Sequence, residues 1–295
     1  MSESSKKAGS LADPGVIREV LGRHGFHFSK AMGQNFLINP TVCPRMAAAC
    51  GAEGCTGALE IGPGLGVLTR ELSLVAKKVV AIELDKRLLP VLAETFDGCP
   101  NVEVIQGDVL KVDLGALIAE KFGGGPVCIC ANLPYYITSP VVMGLLESGL
   151  PIRSITVLVQ KEAAQRLCAQ PGQRACGAVS VSVHYHSRPQ LLFPVGRGSF
   201  VPAPKVDSAV LRLDMRPAPP VQVADEGFFF RVARGAFSQR RKTAANAIVA
   251  ALGLPKPTVE QALLAAGAPA NARAEQLTLE QLAALSNGLH GQAAG

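Results

Sequence analysis

The chain has 295 residues, of which 48% are hydrophobic and 18% charged. This composition excludes a disordered protein and favours a globular one with one large core and a small second domain. No apolar run approaches the ~18–20 residues that a membrane-spanning helix needs. The polar N-terminus, with Glu3 and Asp13, lacks the apolar core of a secretion signal. We therefore expect a cytoplasmic protein without a membrane partner.

The formal net charge of +6 is unevenly distributed. Between Arg216 and Lys242 there are six basic and two acidic residues, and the first fifty residues hold six basic and three acidic. Both end regions of the chain are therefore basic, while its middle is nearly neutral. This distribution suits the binding of a polyanion from two sides of a site. Ordinary solubilising charge is the alternative at this point.

The eight cysteines do not form a metal-binding pattern. No pair has C-x-x-C spacing, and the five histidines do not flank the cysteines at zinc-ligand distances. Cys128 and Cys130 alternate within an apolar run, where cysteine acts as a small hydrophobic residue. We expect reduced, structural thiols and no metal site.

The first elements in chain order form an extension before the first strand. Asp13 and Pro14 begin a short capped helix, an irregular stretch covers residues 26–37, and a second helix runs from Pro40 to about Cys50.

A glycine-rich turn over residues 62–66 follows a predicted strand at 58–61 and precedes a predicted helix at 67–75. Strand, glycine-rich turn and helix make a nucleotide-binding unit. The pattern argues against a phosphate-binding loop, because no Lys-Ser/Thr pair follows and Pro63 crowds the approach of a pyrophosphate. The pattern favours a nucleoside without phosphates, and S-adenosylmethionine fits.

Two acidic residues follow the next strands. Glu83 lies near the end of strand 78–84, 21 residues after Gly62, where an acid commonly receives the ribose hydroxyls of a nucleoside. Asp108 comes after strand 102–106, where it would accept from an adenine amine. Turn capping is the alternative for both acids.

The segment that we expect to carry the chemistry is the turn Asn132-Leu133-Pro134-Tyr135, which ends an apolar run at 127–131. The Asn132 oxygen and a backbone carbonyl of the turn can accept from the two N–H groups of adenine N6. Pro134 fixes the backbone, and Tyr135 offers a stacking face. The alternative is a turn with a capping Asn and a packed Tyr.

The middle of the chain continues the alternation of strands and helices. We predict helices at 140–150 and 161–168 and strands at 154–160, 191–195 and 209–213, and leave 179–186 ambiguous between strand and helix. Phe200, exposed on a proline-rich loop, is a candidate second wall of a base pocket opposite Tyr135, with simple core packing as the alternative.

Beyond a linker at 217–220 the sequence is helical. The predicted helices cover 228–252, 258–266 and 278–289. The first of them carries Arg240, Arg241 and Lys242 around one turn, and contacts with backbone phosphates are the natural role of such a cluster.

Together these runs resemble the small-subunit ribosomal RNA adenine dimethyltransferases, the KsgA family. The matching runs, all in the family's order, are Gly33–Leu37, Glu60–Gly66, Ile82–Asp85, Asn132–Tyr135, Gln160–Glu162, Pro202–Val210 and Ala236–Thr243. The resemblance implies an α/β fold, with the Rossmann-like sheet of a class I S-adenosylmethionine-dependent methyltransferase and a small C-terminal α-helical domain. It places the methyltransferase domain with its N-terminal extension at 1–216 and the helical RNA-binding domain at 217–295.

The resemblance also implies the reaction. S-adenosylmethionine would donate methyl groups to N6 of two adjacent adenosines near the 3′ end of 16S rRNA, giving N6,N6-dimethyladenosines during small-subunit biogenesis. A monomer would act on rRNA within the small ribosomal subunit, and a basic cleft between the domains would receive the rRNA hairpin.

The family's site residues transfer to this chain by position. Asn35, Leu37, Gly62, Glu83, Asp108 and Asn132 would bind the cofactor; Asn132 and Tyr135 would be catalytic; Tyr135, Phe200, Arg240, Arg241 and Lys242 would bind the substrate. One departure is the segment Cys176–Ser180, where many relatives carry a Tyr in place of Cys176.

Three other functions remain alternatives. A resistance-type large-subunit rRNA adenine methyltransferase would share the donor site but not the match through 202–210 and 236–243. A DNA adenine methyltransferase would more usually carry Asp/Asn-Pro-Pro-Tyr. A non-catalytic ribosome-assembly factor would be expected to have lost Gly62, Glu83, Asp108 or Asn132, and all four are present.

Overall fold

The computed structural model of the chain describes residues 11, 13–26 and 35–290. Most of the predicted irregular stretch 26–37, including Gly33 and Gln34, lies outside these residues. The chain divides into two compact units, one of Met1–Lys161 with Leu191–Asp214 and the other of Glu162–Gln190 with Met215–Gly295.

The first unit is built on a seven-stranded sheet in the order β4-β3-β2-β5-β6-β9-β7, and a separate two-stranded ribbon joins β1 to β8. The strands are β1 Phe36–Leu37, β2 Gly57–Ile61, β3 Val79–Glu83, β4 Val102–Gln106, β5 Val127–Asn132, β6 Ile152–Gln160, β7 Ser187–Val195, β8 Phe200–Val201 and β9 Ser208–Met215. The five strands β2 to β6 run parallel to one another, and β9 is antiparallel to β6. This confirms the predicted α/β class.

In the described part of the first unit, two α-helices precede the parallel strands and four connect them. They are α1 Pro14–Arg23, α2 Val42–Ala48, α3 Val67–Val75, α4 Leu89–Thr95, α5 Leu114–Phe122 and α6 Thr138–Glu147. Asp13 begins α1 as predicted, since its side chain accepts from the backbone N–H of Gly15 at 2.6 Å. Asp113 caps α5 in the same way through Ala116 N–H at 2.9 Å.

The parallel register places the ends of four strands along one edge of the sheet. Ile61 at the end of β2 is paired with Ile82 on one side and Ala131 on the other, and Glu83 with Gln106. Strands β2 and β3 are buried along their whole length, as expected for parallel strands covered on both faces. The residues that follow these strands therefore come together, as is usual for ligand sites of such sheets.

The second unit is helical. Its helices are α7 Lys161–Cys168, α8 Ala178–His186, α9 Glu226–Phe237, α10 Ala244–Leu252, α11 Lys256–Ala265 and α12 Leu279–His290. Phe229, Val232, Ile248, Leu282 and Leu285 are buried in its core. No helix in the described part of the chain combines the length and apolarity that crossing a membrane requires.

The ambiguous segment 179–186 is a helix, α8. Its alternation of Val and Ser suggests a strand with one polar face, but Ser180 and Ser182 are both buried. The Ser180 hydroxyl donates to the Arg166 carbonyl at 2.6 Å. Because this serine finds a backbone partner inside the unit, the alternation does not mark an exposed face.

The predicted single helix over 228–252 is wrong. Helix α9 ends at Phe237 and α10 begins at Ala244, so the two are separate. The Ser238 hydroxyl donates back to the Gly235 carbonyl at 2.7 Å, and the Thr243 hydroxyl accepts from Asn246 N–H at 3.3 Å as the cap of α10. Polar side chains over 238–243 thus compete for the backbone and favour a turn.

Candidate active site

One open cavity of about 1180 Å³ lies at the carboxyl edge of the sheet in the first unit. This volume includes the open space at the mouth of the cavity. Eight of the residues that the sequence singled out line it: Asn35, Leu37, Gly62, Glu83, Asp108, Asn132, Tyr135 and Phe200.

The glycine-rich turn forms one side of the cavity and needs its glycines. Gly62, Gly64 and Gly66 have φ of +70°, +59° and +84°, a region that side chains with a Cβ rarely adopt. A Cβ on Gly66 would also lie 2.5 Å from Cε1 of Phe96. The space beside Gly62 is open, since no atom of the described residues lies within 4 Å of the position of a Cβ there.

Glu83 is fixed by backbone N–H groups on both sides. Its Oε1 accepts from Asp85 N–H at 2.8 Å and its Oε2 from Gly64 N–H at 3.2 Å. Burial raises the pKa of this carboxyl above its usual range, and the two backbone N–H groups oppose that shift. Each carboxylate oxygen can accept more than one hydrogen bond, so a pair of hydroxyl donors can still be received.

Sequence reasoning missed Glu60, which also lines the cavity. It is 1% exposed within β2, and its Oε2 has no hydrogen-bond partner among the described residues. Burial raises its pKa to about 8, and the nearby charge of Glu83 contributes in the same direction. An acid as the next-to-last residue of an otherwise apolar strand was the signal available in the sequence.

Asp108 has a structural contact as well as a place in the cavity. Its Oδ1 accepts from Leu110 N–H at 3.0 Å, and the Lys111 ammonium lies 3.7 Å from Oδ2. The carboxylate therefore caps the turn after β4, which was the alternative weighed for it. Its acceptor capacity exceeds these contacts, so turn capping and ligand binding are compatible.

Asn132 is the last residue of β5, and a hydrogen bond orients its side-chain amide. The Nδ2 group donates to the carbonyl oxygen of Asn35 at 3.3 Å. With the nitrogen used in this way, Oδ1 remains as an acceptor. The following turn closes through a hydrogen bond from Ile137 N–H to the Pro134 carbonyl at 3.1 Å.

Two aromatic residues line the cavity near this turn. Tyr135 is half-buried, and its hydroxyl lies 2.8 Å from the Ser208 hydroxyl. Burial raises the pKa of Tyr135, so the phenol stays protonated at neutral pH. Tyr136, which sequence reasoning did not single out, also lines the cavity and is 62% exposed.

Phe200 is buried, and the expectation that it is exposed on its loop is wrong. It is only 3% exposed because β8 pairs with β1, where Phe200 and Leu37 are register partners. Asn39 supports the same ribbon, since its Nδ2 donates to the Ser199 hydroxyl at 3.1 Å. Phe200 therefore both packs in the core and lines the cavity.

Arg240, Arg241 and Lys242 belong to the helical unit and lie in the turn between α9 and α10, not on a helix as predicted. All three are exposed. Within the ranges that the structure describes, no carboxylate is within ion-pair distance of any of them. Their charge is thus available to an anionic partner.

The cavity fits S-adenosylmethionine by the chemistry of its donor groups. The buried Oε2 of Glu60 is a polar atom that a ligand can satisfy, Glu83 matches ribose hydroxyls, and the open space at Gly62 admits a close approach. Asp108 and Asn132 supply acceptors for amines.

Comparison with known proteins gives one family. The model of the family "Ribosomal RNA adenine dimethylase" matches residues 25–290. The "Ribosomal RNA small subunit methyltransferase A" of Geobacillus thermodenitrificans is 47% identical over 285 residues, covering 95% of this chain and 97% of the relative. The protein of the same name from Alkaliphilus oremlandii is 42% identical, covering 95% and 98%.

Solved structures agree with this fold. The 23S rRNA methyltransferase ErmE is 29% identical with a TM-score of 0.69, covering 87% of this chain and 100% of its own. A dimethyladenosine transferase from Plasmodium falciparum has a TM-score of 0.73 at 24% identity, covering 87% and 98%. The latter similarity concerns the fold alone.

Proposed function

The chain belongs to the ribosomal RNA adenine dimethylase family, and we propose that the cavity of its α/β unit is where methyl transfer to adenosine N6 takes place. The protein is an S-adenosylmethionine-dependent rRNA adenine dimethyltransferase that acts on 16S rRNA of the small subunit. The observation that carries the assignment is the presence of Glu83 and Asn132 in one cavity, since a donor site and an acceptor for the target amine must adjoin.

The cofactor is held, in this proposal, by five residues from four segments. Gly62 lies beside its methionine end, Glu83 receives the ribose hydroxyls, and Asp108 accepts from the adenine amine. Asn35 and Leu37 contact it from the segment before α2. The support is the common placement of all five around one cavity and the two backbone hydrogen bonds that keep Glu83 in place.

The chemistry requires N6 of adenine to act as a nucleophile. When bound, the cofactor would supply an electrophilic methyl group on a sulfonium: N6 would gain an N–C bond and lose one proton, while the S–C electron pair would remain on sulfur. Asn132 Oδ1 and a carbonyl of the turn accept from the N6 amine, which stabilises the positive charge that develops there. Tyr135 provides the face on which the base stacks.

The catalytic and RNA-binding roles are divided along the chain. We assign residues 1–216 to methyl transfer and residues 217–295 to RNA binding; within the first range, α7 and α8 pack with the helical unit. Arg240, Arg241 and Lys242 contact backbone phosphates, and Phe200 forms part of the base pocket together with Tyr135. The exposure and the free charge of the three basic residues support their role.

We also propose the biological setting. The enzyme acts as a monomer on assembling small subunits in the cytoplasm, as a step of ribosome biogenesis. The large-subunit alternative is disfavoured because the small-subunit relatives are 42–47% identical while the 23S enzyme is 29% identical. A purely non-catalytic assembly factor is disfavoured because Gly62, Glu83, Asp108 and Asn132 are retained.

The test is methyl transfer from labelled S-adenosylmethionine into small ribosomal subunits that lack the modification. Large subunits and adenine-containing DNA serve as parallel substrates, and the product nucleoside is identified by mass. The expected result is N6,N6-dimethyladenosine in the small subunit alone. Label in the large subunit would instead indicate a resistance-type large-subunit rRNA methyltransferase. Cofactor binding without any methyl transfer would favour a non-catalytic assembly factor.

A further inference from the structure

The ring of Tyr135 is held at both of its ends. Its backbone is fixed in the turn after β5, and its hydroxyl forms a hydrogen bond of 2.8 Å with the hydroxyl of Ser208. Ser208 is completely buried and begins β9, 73 residues further along the chain. The contact thus joins a residue of the cavity to a strand that supplies no cavity-lining residue itself.

Ser208 is a rigid point of attachment. It is the register partner of Gln160 in the antiparallel pair of β6 and β9. The preceding residue, Asp207, accepts from Lys161 N–H through its carbonyl and from Arg197 N–H through its carboxylate, both at 3.0 Å. A hydroxyl on such a backbone has little freedom beyond rotation about its own χ1.

An aromatic ring that must stack on a base gains from a fixed orientation. A tyrosine with a free hydroxyl can change χ1 and χ2 at a small energetic cost. Whenever the ring turns away from the base, the complex cannot react, so the fraction of productive complexes falls. The Pro134 ring restricts the backbone just before Tyr135 but does not restrict the Tyr135 side chain. The hydroxyl contact supplies the missing restriction.

We propose that Ser208 is a positioning residue for N6 methylation: through its hydroxyl it holds the Tyr135 ring in the orientation that the target adenine stacks on. The inference rests on the proposed function, because it assigns Tyr135 a base to hold. Ser208 itself touches neither substrate nor cofactor.

The second methyl transfer depends on this contact more than the first. An unmodified adenine offers two N6–H groups to acceptors, whereas N6-methyladenine offers one. With one hydrogen bond fewer, the monomethylated base is held to a greater extent by stacking. A loosened Tyr135 ring therefore reduces the yield of dimethylated product relative to monomethylated product.

The experiment compares three variants in single-turnover methylation of small subunits that lack the modification. Ser208→Ala and Tyr135→Phe each remove one hydroxyl of the pair, and Ser208→Thr keeps it. We expect the two deletions to slow transfer about fivefold each, which is the value of one ordinary hydrogen bond. The ratio of monomethylated to dimethylated adenosine should rise, and Ser208→Thr should retain most of the rate.

The double variant and a matched control make the test specific. Ser208→Ala combined with Tyr135→Phe should be no slower than either change alone, because both remove the same contact. Ser154→Ala is the control: Ser154 is also fully buried in the sheet, and its hydroxyl donates to the Cys50 carbonyl at 2.5 Å, away from the cavity lining. It should lose stability without a change in product ratio.

Several results would overturn the proposal. A Ser208→Ala enzyme with the wild-type rate and product ratio would do so, and so would effects of the two deletions that multiply in the double variant. Tyr135→Phe leaves Ser208 in place, so it decides the question even where Ser208→Ala fails to fold. A wild-type protein that methylates no small subunit would instead overturn the proposed function, and this inference with it.

Discussion

Leu37 of β1 is the antiparallel register partner of Phe200 in β8, and both side chains are buried while they line the cavity. Leu37 belongs to the segment proposed to contact the cofactor, and Phe200 to the proposed base pocket. A two-stranded ribbon therefore couples the cofactor side of the site to the substrate side. Loss of either partner should affect both sides.

Phe200→Leu separates stacking from core packing. Leucine keeps most of the buried apolar surface, so we expect the melting temperature to fall by only a few degrees. It removes the aromatic face, and since base stacking contributes about 1–3 kcal/mol, kcat should fall at least about fivefold. Thermal unfolding and single-turnover rates measure the two effects. A lower melting temperature with an unchanged rate would leave Phe200 with a packing role only.

Asn132→Ala should act on catalysis more than on cofactor affinity. The side-chain oxygen is used mainly when charge develops on N6, so its loss should lower kcat by about 100-fold or more. The variant also removes the hydrogen bond to the Asn35 carbonyl, so a cofactor Kd up to about fivefold weaker is expected as well. Calorimetric titration with S-adenosylmethionine measures the cofactor Kd, and single-turnover kinetics measure the rate of methyl transfer.

Asn132→Asp is the matched comparison for this position. The carboxylate keeps an oxygen acceptor but loses the N–H donor to Asn35, so cofactor affinity should fall while part of the catalytic rate is kept. If Asn132→Ala lost affinity and rate in equal measure, the proposed role of Oδ1 in the transition state would be wrong.

The sequence identified the parts of the site that follow a strand. Gly62, Glu83, Asp108 and Asn132 each come after or at the end of an apolar run, and the parallel register brings those ends together. Glu60 was missed because an acid inside a buried strand is recognisable only once the strand's surroundings are known. Ser208 was missed because no local pattern relates residues 73 positions apart.

The errors in the fold also have physical causes. Periodicity alone could not separate α9 from α10, because apolar residues continue on both sides of the turn at 238–243. Side-chain hydrogen bonds of Ser238 and Thr243 end one helix and begin the next. Phe200 was expected to be exposed because its partner Leu37 lies more than 160 residues away, as the register shows.

Replacement of Arg240, Arg241 and Lys242 by Ala should weaken RNA binding and flatten its salt dependence. Each phosphate contact contributes roughly 0.7–0.9 to the slope of log K against log salt concentration, so the slope should fall by about 2–3. Binding of an rRNA hairpin is measured at several salt concentrations.

The control for this triple variant removes charge elsewhere in the same unit. Lys256 pairs with Glu260 at 3.5 Å, and Arg273 precedes α12. Lys256→Ala with Arg273→Ala should leave the slope nearly unchanged. Equal slopes for the wild type and the triple variant would mean that the turn between α9 and α10 does not contact RNA.

Glu60 should make the free energy of unfolding depend on pH. Its pKa is about 8 in the folded protein against 4.5 as the ordinary value. Between these values the unfolded chain carries the ionised carboxylate and the folded protein keeps the proton, so rising pH favours unfolding. The contribution is fully present below pH 4.5 and is lost as pH rises through about 8, by up to about 1.4 kcal/mol per pH unit.

Glu60→Gln removes this titration and should flatten the dependence in that window. The groups that interact with Glu60 are Glu83, Cys43, Cys130 and the hydroxyl of Thr69, which does not titrate. Burial raises the pKa of the Cys43 thiol, and a hydrogen bond with Cys50 together with burial raises that of the Cys130 thiol, so both stay protonated. Urea unfolding at several pH values measures the change. Glu53→Gln, at an exposed position in the first unit, is the control and should follow the wild type. If the Glu60→Gln curve also followed the wild type, Glu60 would have to be ionised in the folded protein across this range.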